Sequence, residues 1–215
     1  MIPIVAAIVS GLITGLITGL IVGLILGGIS EHKEEELLKS QIDSSVQSAE
    51  NRLNKGLNED AITILEDTLN LFSRKQFPER YGRIKSSLGI AFKNQALFDN
   101  KKEHLNKAIG AYDEALEIYT VDKYPVKYAM IQNNLGNAYS ILAEILETEE
   151  NVKRAITAFE AALEIRTVEK YPVDYAQTQN NLGNAYRTLA QVREKEENVK
   201  KAISAYKAAL EIRTV

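Results

Sequence analysis

The amino-acid sequence predicts an all-α protein: an α-solenoid of antiparallel helix pairs with a 47-residue period, preceded by one long hydrophobic helix. Three observations carry this prediction. First, YPVKYAMIQNNLGNAYSILAEI (124–145) returns as YPVDYAQTQNNLGNAYRTLAQV (171–192), and NVKRAITAFEAALEIRTV (151–168) as NVKKAISAYKAALEIRTV (198–215), at the same offset of 47 residues. Second, the repeating part is rich in Ala, Glu, Lys, Leu and Asn and poor in Gly and Pro, a composition that favours helix throughout. Third, residues 1–30 contain no Asp, Glu, Lys or Arg, so the 26 basic and 29 acidic residues all follow Ser30. The chain divides into a hydrophobic helix (1–30), a connecting helix (31–58) and a solenoid (59–215), with units at about 30–76, 77–123, 124–170 and 171–215.

The first element reads as a membrane-spanning helix. Residues 2–29 would extend roughly 40 Å at ~1.5 Å per residue, enough to cross a hydrocarbon layer of about 30 Å with tilt. The run is too long for a cleaved signal, no basic residue precedes it, and no small-x-small site precedes the charges. Lys33 and Lys39 flank its C-terminal side, which predicts a single-pass membrane protein with the array in the cytoplasm. Within the segment Gly11, Gly15, Gly19, Gly23 and Gly27 recur every fourth residue. Glycines so spaced let helix backbones approach closely, and Ser10, Thr14 and Thr18 widen the small face. A period of four against 3.6 rotates the glycine line by about 40° per step. That arc suits a cluster in which each helix touches two neighbours. Each Gly costs about 1 kcal/mol of helix propensity relative to Ala, a cost that packing offsets. The expected partners are therefore copies of the chain itself and membrane lipid. The alternatives are a filament or tube with these helices packed in its core outside a bilayer, and an oligomeric pore lined by the Ser10, Thr14 and Thr18 hydroxyls.

The connecting helix carries a narrow apolar stripe, Leu37, Leu38, Ile42, Val46, Ala49 and Leu53, but lacks the Leu-Gly pair of the units that follow. Each unit reads as two helices. The first starts at a Pro, which suits an opening turn because it has no N–H to leave unpaired. In the third unit its apolar positions run Tyr128, Ile131, Leu135, Ala138, Tyr139, Leu142, Ile145 and Leu146, a spacing of three and four. The acidic ETEEN then interrupts, and Asn151 is placed to cap the second helix. That helix buries Val152, Ala155, Ile156, Phe159, Ala162 and Leu163, with Gly136 and Ala138 small where it must come close. A weaker copy keeps Pro78, Leu88, Gly89, Ala108, Ile109, Tyr112, Ala115 and Leu116 in register, and residues 59–74 keep the second half alone. Neither helix hides its apolar face unaided, so stability comes from stacked neighbours. The last copy reaches Val215 without a polar outer helix, which predicts a continuing chain or a covering subunit.

Leu135-Gly136-x-x-Tyr139 followed by Ala155-x-x-x-Phe159-x-x-Ala162 resembles the tetratricopeptide repeat (TPR) signature, and 182–186 with 202–209 resembles it equally. The usual unit is about 34 residues. The extra length here is similar to the elongated repeats of kinesin light chains and of many bacterial and archaeal regulators. The resemblance covers roughly residues 59–215 and implies a concave groove, lined by the first helices, that grips a peptide or protein client. By position it implicates Asn133, Asn137, Asn180, Asn184 and Arg187, with Arg83 and Lys93 from the diverged unit. An Asn amide both donates and accepts, as a peptide backbone requires. The basic side chains that clamp a terminal carboxylate in chaperone-binding repeats are mostly replaced by Asn, Ser or Met. The alternative is that these Asn side chains bridge neighbouring helices and stiffen the superhelix.

Other classes find little support. Charges are mixed along the array, whereas a nucleic-acid binder shows a basic face. The absence of Cys excludes disulfides and thiolate metal sites. His32 and His104 lack partners at ligand spacing and read as solvated residues. The Gly-rich segment has no Lys and is not a phosphate-binding loop. Glu149, Glu150, Glu196 and Glu197 are charge runs at helix ends rather than a buried acid/base pair. No cofactor is expected, and the chain reads as a non-enzymatic scaffold that self-assembles and presents a protein-binding solenoid.

Overall fold

The computed structural model describes residues 31–146 and 149–213. The expected zipper, Gly11, Gly15, Gly19, Gly23 and Gly27 with Ser10, Thr14 and Thr18, lies outside the described residues. Every regular element among the described residues is an α-helix: α1 (Glu31–Leu53), α2 (Asn58–Leu69), α3 (Pro78–Gln95), α4 (Lys101–Leu116), α5 (Pro125–Leu146), α6 (Glu149–Leu163), α7 (Pro172–Val192) and α8 (Lys195–Arg213). None of them is long and apolar enough to cross a membrane. The chain falls into two compact units, residues 1–44 and 45–215. Residues 31–44 of α1 belong to the first, and there Lys39 pairs with Glu35 at 2.7 Å and Glu36 at 2.8 Å.

In the second unit, α3 pairs with α4, α5 with α6 and α7 with α8, and each hairpin packs on the next through α4 on α5 and α6 on α7. The punctuation is chemical. Phe77 and Tyr171 hold non-helical backbone (φ −137°, ψ 73° and φ −141°, ψ 60°) before Pro78 and Pro172 in the first turn, outside the α region that a following Pro disfavours. The preceding turn also recurs: the Tyr124 N–H donates to the Thr120 carbonyl and the Tyr171 N–H to that of Thr167, both at 2.9 Å.

Packing between the paired helices centres on one repeated contact. A Cβ built on Gly136 would meet the Phe159 ring at 2.6 Å, and one on Gly183 the Tyr206 ring at 2.6 Å, with Tyr112 over Gly89 in the same register. The glycine of the Leu-Gly pair is therefore the seat for an aromatic side chain of the second helix. Around it Val152, Ala155 and Ile156 pack with Leu182, Ala185 and Leu189 of the following hairpin, which burial makes worth about 1.5–3 kcal/mol for each larger side chain.

Several expectations need correction. Asn151 is not a cap: α6 begins at Glu149, placing Asn151 buried inside the first turn. Its counterpart Asn198 reaches back, donating from Nδ2 to the Arg193 carbonyl at 2.9 Å. His104 is not solvated: it stacks on Phe92 with centroids 6.0 Å apart, and its Nε2 lies 3.1 Å from an Asp99 carboxylate oxygen. The apolar stripe of α5 ends early, because Ile145 and Leu146 are exposed. On α8 the face equivalent to Val152 (4 % exposed) and Ile156 (8 %) stands open, with Val199 at 39 % and Ile203 at 48 %.

Candidate functional site

The first helices of successive hairpins, α3, α5 and α7, touch side by side. Along them runs a cavity of about 340 Å3. Its polar lining comes from Lys93 on α3, Asn137, Ser140 and Glu144 on α5, and Asn181, Asn184, Arg187 and Thr188 on α7, over an apolar floor that includes Val152, Phe159 and Ala185. Lys93, Ser140 and Arg187 are 47 residues apart and so occupy one register position in three consecutive units. The repeat thus aligns cation, hydroxyl and cation across the cavity.

Each lining group has a distinct state. Lys93 is partly buried and makes no ion pair or hydrogen bond among the described residues, and that burial pulls its ammonium below the ordinary lysine pKa. The Ser140 hydroxyl oxygen is buried without a hydrogen-bond partner among them. The Asn184 Oδ1 accepts a 2.8 Å hydrogen bond from the Tyr206 hydroxyl, which leaves its amide NH2 to donate. In the preceding unit the equivalent ring is Phe159, which has no hydroxyl to hold Asn137. Arg187 and Glu144 are exposed at the rim.

The structure therefore brings together Lys93, Asn137, Asn184 and Arg187 of the predicted groove residues. The other three lie elsewhere. Arg83 makes a two-pronged pair with Glu50, Nε–Oε1 at 3.0 Å and Nη2–Oε2 at 2.6 Å. Asn133 is buried, and its Oδ1 accepts from Asn181 Nδ2 at 3.3 Å, a bridge between α5 and α7. Asn180 is exposed and outside the cavity lining. Sequence reasoning missed Ser140, Glu144, Asn181 and Thr188, although the 47-residue register linking Lys93, Ser140 and Arg187 was present as a signal. The lining offers both donors and acceptors, and among the described residues no three metal-ligating side chains cluster. Such an array can hold the polar backbone groups of an extended polypeptide.

Helical hairpins stacked in series, each pinned by an aromatic ring on a glycine, with a polar cavity along their first helices, define a helical-repeat scaffold. Residues 136–167 match the family model described as tetratricopeptide repeat. The match takes in the Gly136–Phe159 contact and indicates a protein-interaction module. No curated protein matches the chain.

Proposed function

We propose that the chain is a non-enzymatic scaffold that holds an extended segment of a client protein along α3, α5 and α7. The observation that carries this reading is the convergence of Lys93, Asn137, Asn184 and Arg187, from three units, on one cavity. The length of the repeat supports its reading as an elongated, kinesin-light-chain-like unit. The test is fluorescence anisotropy with a randomised heptapeptide pool on the full chain in neutral detergent. Asn137→Ala is the cleaner variant, because Asn137 has no described partner whereas Asn184 also holds Tyr206. Lost peptide binding with an unchanged melting temperature supports the groove; unchanged binding refutes it.

The scaffold further self-assembles through the hydrophobic segment as a single-pass membrane anchor with the array in the cytoplasm. What supports this is the strict four-residue spacing of Gly11 to Gly27. Replacing Gly15, Gly19 and Gly23 with Leu reduces oligomer size if the glycines pack copies together; an unaltered oligomer rules that out. Extraction by detergent supports the anchor, while sedimenting, detergent-resistant fibres select the filament reading instead.

A further inference from the structure

We propose that Lys93 is a carbon dioxide site, at which the amine adds carbon dioxide to form a carbamate held by the Ser140 hydroxyl, the Asn184 amide and the Arg187 guanidinium. This is a covalent modification of the protein's own side chain, and it stands whether or not a client occupies the groove.

The nucleophile is singled out by what the other lysines do. Lys39, Lys85, Lys107, Lys153, Lys200 and Lys201 each hold a carboxylate oxygen within 2.8 Å. An ammonium in an ion pair has no lone pair to offer. Lys93 is half-buried, lines a cavity of about 340 Å3, and meets no carboxylate among the described residues. Burial pulls its ammonium below the ordinary lysine pKa, which favours the amine that carries the lone pair.

The step balances without a further reagent. Once the ammonium has released its proton, the Nζ lone pair forms a bond to the carbon of carbon dioxide. One C=O π pair moves onto oxygen, and one N–H proton leaves to solvent. Nothing is oxidised or reduced, and the side chain passes from cation to anion.

The cavity already holds the donors that such a product needs. Ser140, one repeat along in the register of Lys93, has a buried hydroxyl with no hydrogen-bond partner among the described residues. The Tyr206 hydroxyl occupies the Asn184 oxygen and leaves the Asn184 NH2 to donate. Arg187, a further repeat along, stands at the rim, and its planar fork suits an anion with two oxygens. The other polar groups do not compete. The Thr188 hydroxyl donates to the Asn184 carbonyl and Asn181 to Asn133, while Glu144 is exposed, where solvent and salt screen its charge.

The experiment equilibrates the full chain in neutral detergent with isotope-labelled carbon dioxide, alkylates carbamates in place with triethyloxonium ion, and maps the labelled adducts by peptide mass spectrometry. Lys93 is expected to carry several-fold more ethyl carbamate than the exposed Lys55, Lys75 and Lys123. Ser140→Ala lowers the Lys93 adduct at least about ten-fold, the worth of a hydrogen bond to a charged group, and leaves acetylation of Lys93 by acetic anhydride unchanged. The second readout separates a lost carbamate contact from a lysine that has merely moved. The variant keeps its helix, because Ala favours helix and the hydroxyl it removes was unsatisfied. No labelled adduct at Lys93, an adduct no greater than on the exposed lysines, or one indifferent to Ser140→Ala overturns the site. Each of these results leaves the peptide groove to its own test.

Discussion

Tyr112 is fully buried, yet its hydroxyl has no hydrogen-bond partner among the described residues. The repeat explains why. In the last unit the equivalent Tyr206 donates to Asn184 at 2.8 Å; in the diverged unit the position equivalent to Asn184 is Ile90. The third unit resolves the same conflict with Phe159, which carries no hydroxyl. Tyr112→Phe removes one oxygen and keeps the ring seated over Gly89. A buried unsatisfied hydroxyl costs about 1–3 kcal/mol, so this variant raises unfolding free energy by about 1 kcal/mol or more. Tyr206→Phe breaks a made bond and lowers it by about 0.5–1.5 kcal/mol. Urea unfolding followed by helical circular dichroism measures both, with the slope checked for constancy because repeat arrays can depart from two-state behaviour. Opposite signs at two equivalent positions are the diagnostic. A Tyr112→Phe variant less stable than the parent by over about 0.5 kcal/mol would show that the hydroxyl is satisfied and refute the reasoning.

Three further outcomes are expected. Gly136→Ala places a Cβ 2.6 Å from the Phe159 ring and costs about 1–3 kcal/mol through overpacking, whereas Gly110→Ala meets nothing within 4 Å and gains up to about 1 kcal/mol of helix propensity; paired urea titrations check the contrast. Burial raises the Tyr81 and Tyr119 phenols from 10.0 to about 12, with Glu114 and Glu79 adding to the respective shifts. The folded state holds these protons more tightly than the unfolded chain, so their stabilisation is complete below pH 10.0 and is lost as pH rises toward about 12; tyrosinate absorbance that develops well before helix loss would contradict this. Arg83→Gln leaves peptide affinity unchanged but lowers stability by up to about 1 kcal/mol, since Arg83 is committed to Glu50 in a partly exposed pair; calorimetry on the variant separates the two effects.

Much of the array was legible because its determinants are local and repeated. Pro78 and Pro172 open their helices as their chemistry requires, and the Leu-Gly pair marks where an aromatic ring must sit. What could not be read was the choice of partner for each polar side chain. Asn133 and Asn137 lie four residues apart in one helix, yet small differences in their direction send the first to Asn181 and the second into the cavity. His104 read as solvated because it has no partner at ligand spacing, but Phe92, twelve residues away in sequence, covers its ring. Ser140 shares a register position with Lys93 and Arg187, but its burial without a partner is visible only in three dimensions.

The line of Lys93, Ser140 and Arg187 has a mechanical consequence. The two cations sit two repeat periods apart and are joined through the α3–α5 and α5–α7 junctions, so the span between them depends on the pitch of the coil. Hairpins that contact their nearest neighbours deform like the turns of a spring. Any change in that pitch therefore alters the distance between the Lys93 and Arg187 side chains, with Ser140 between them at the same register position.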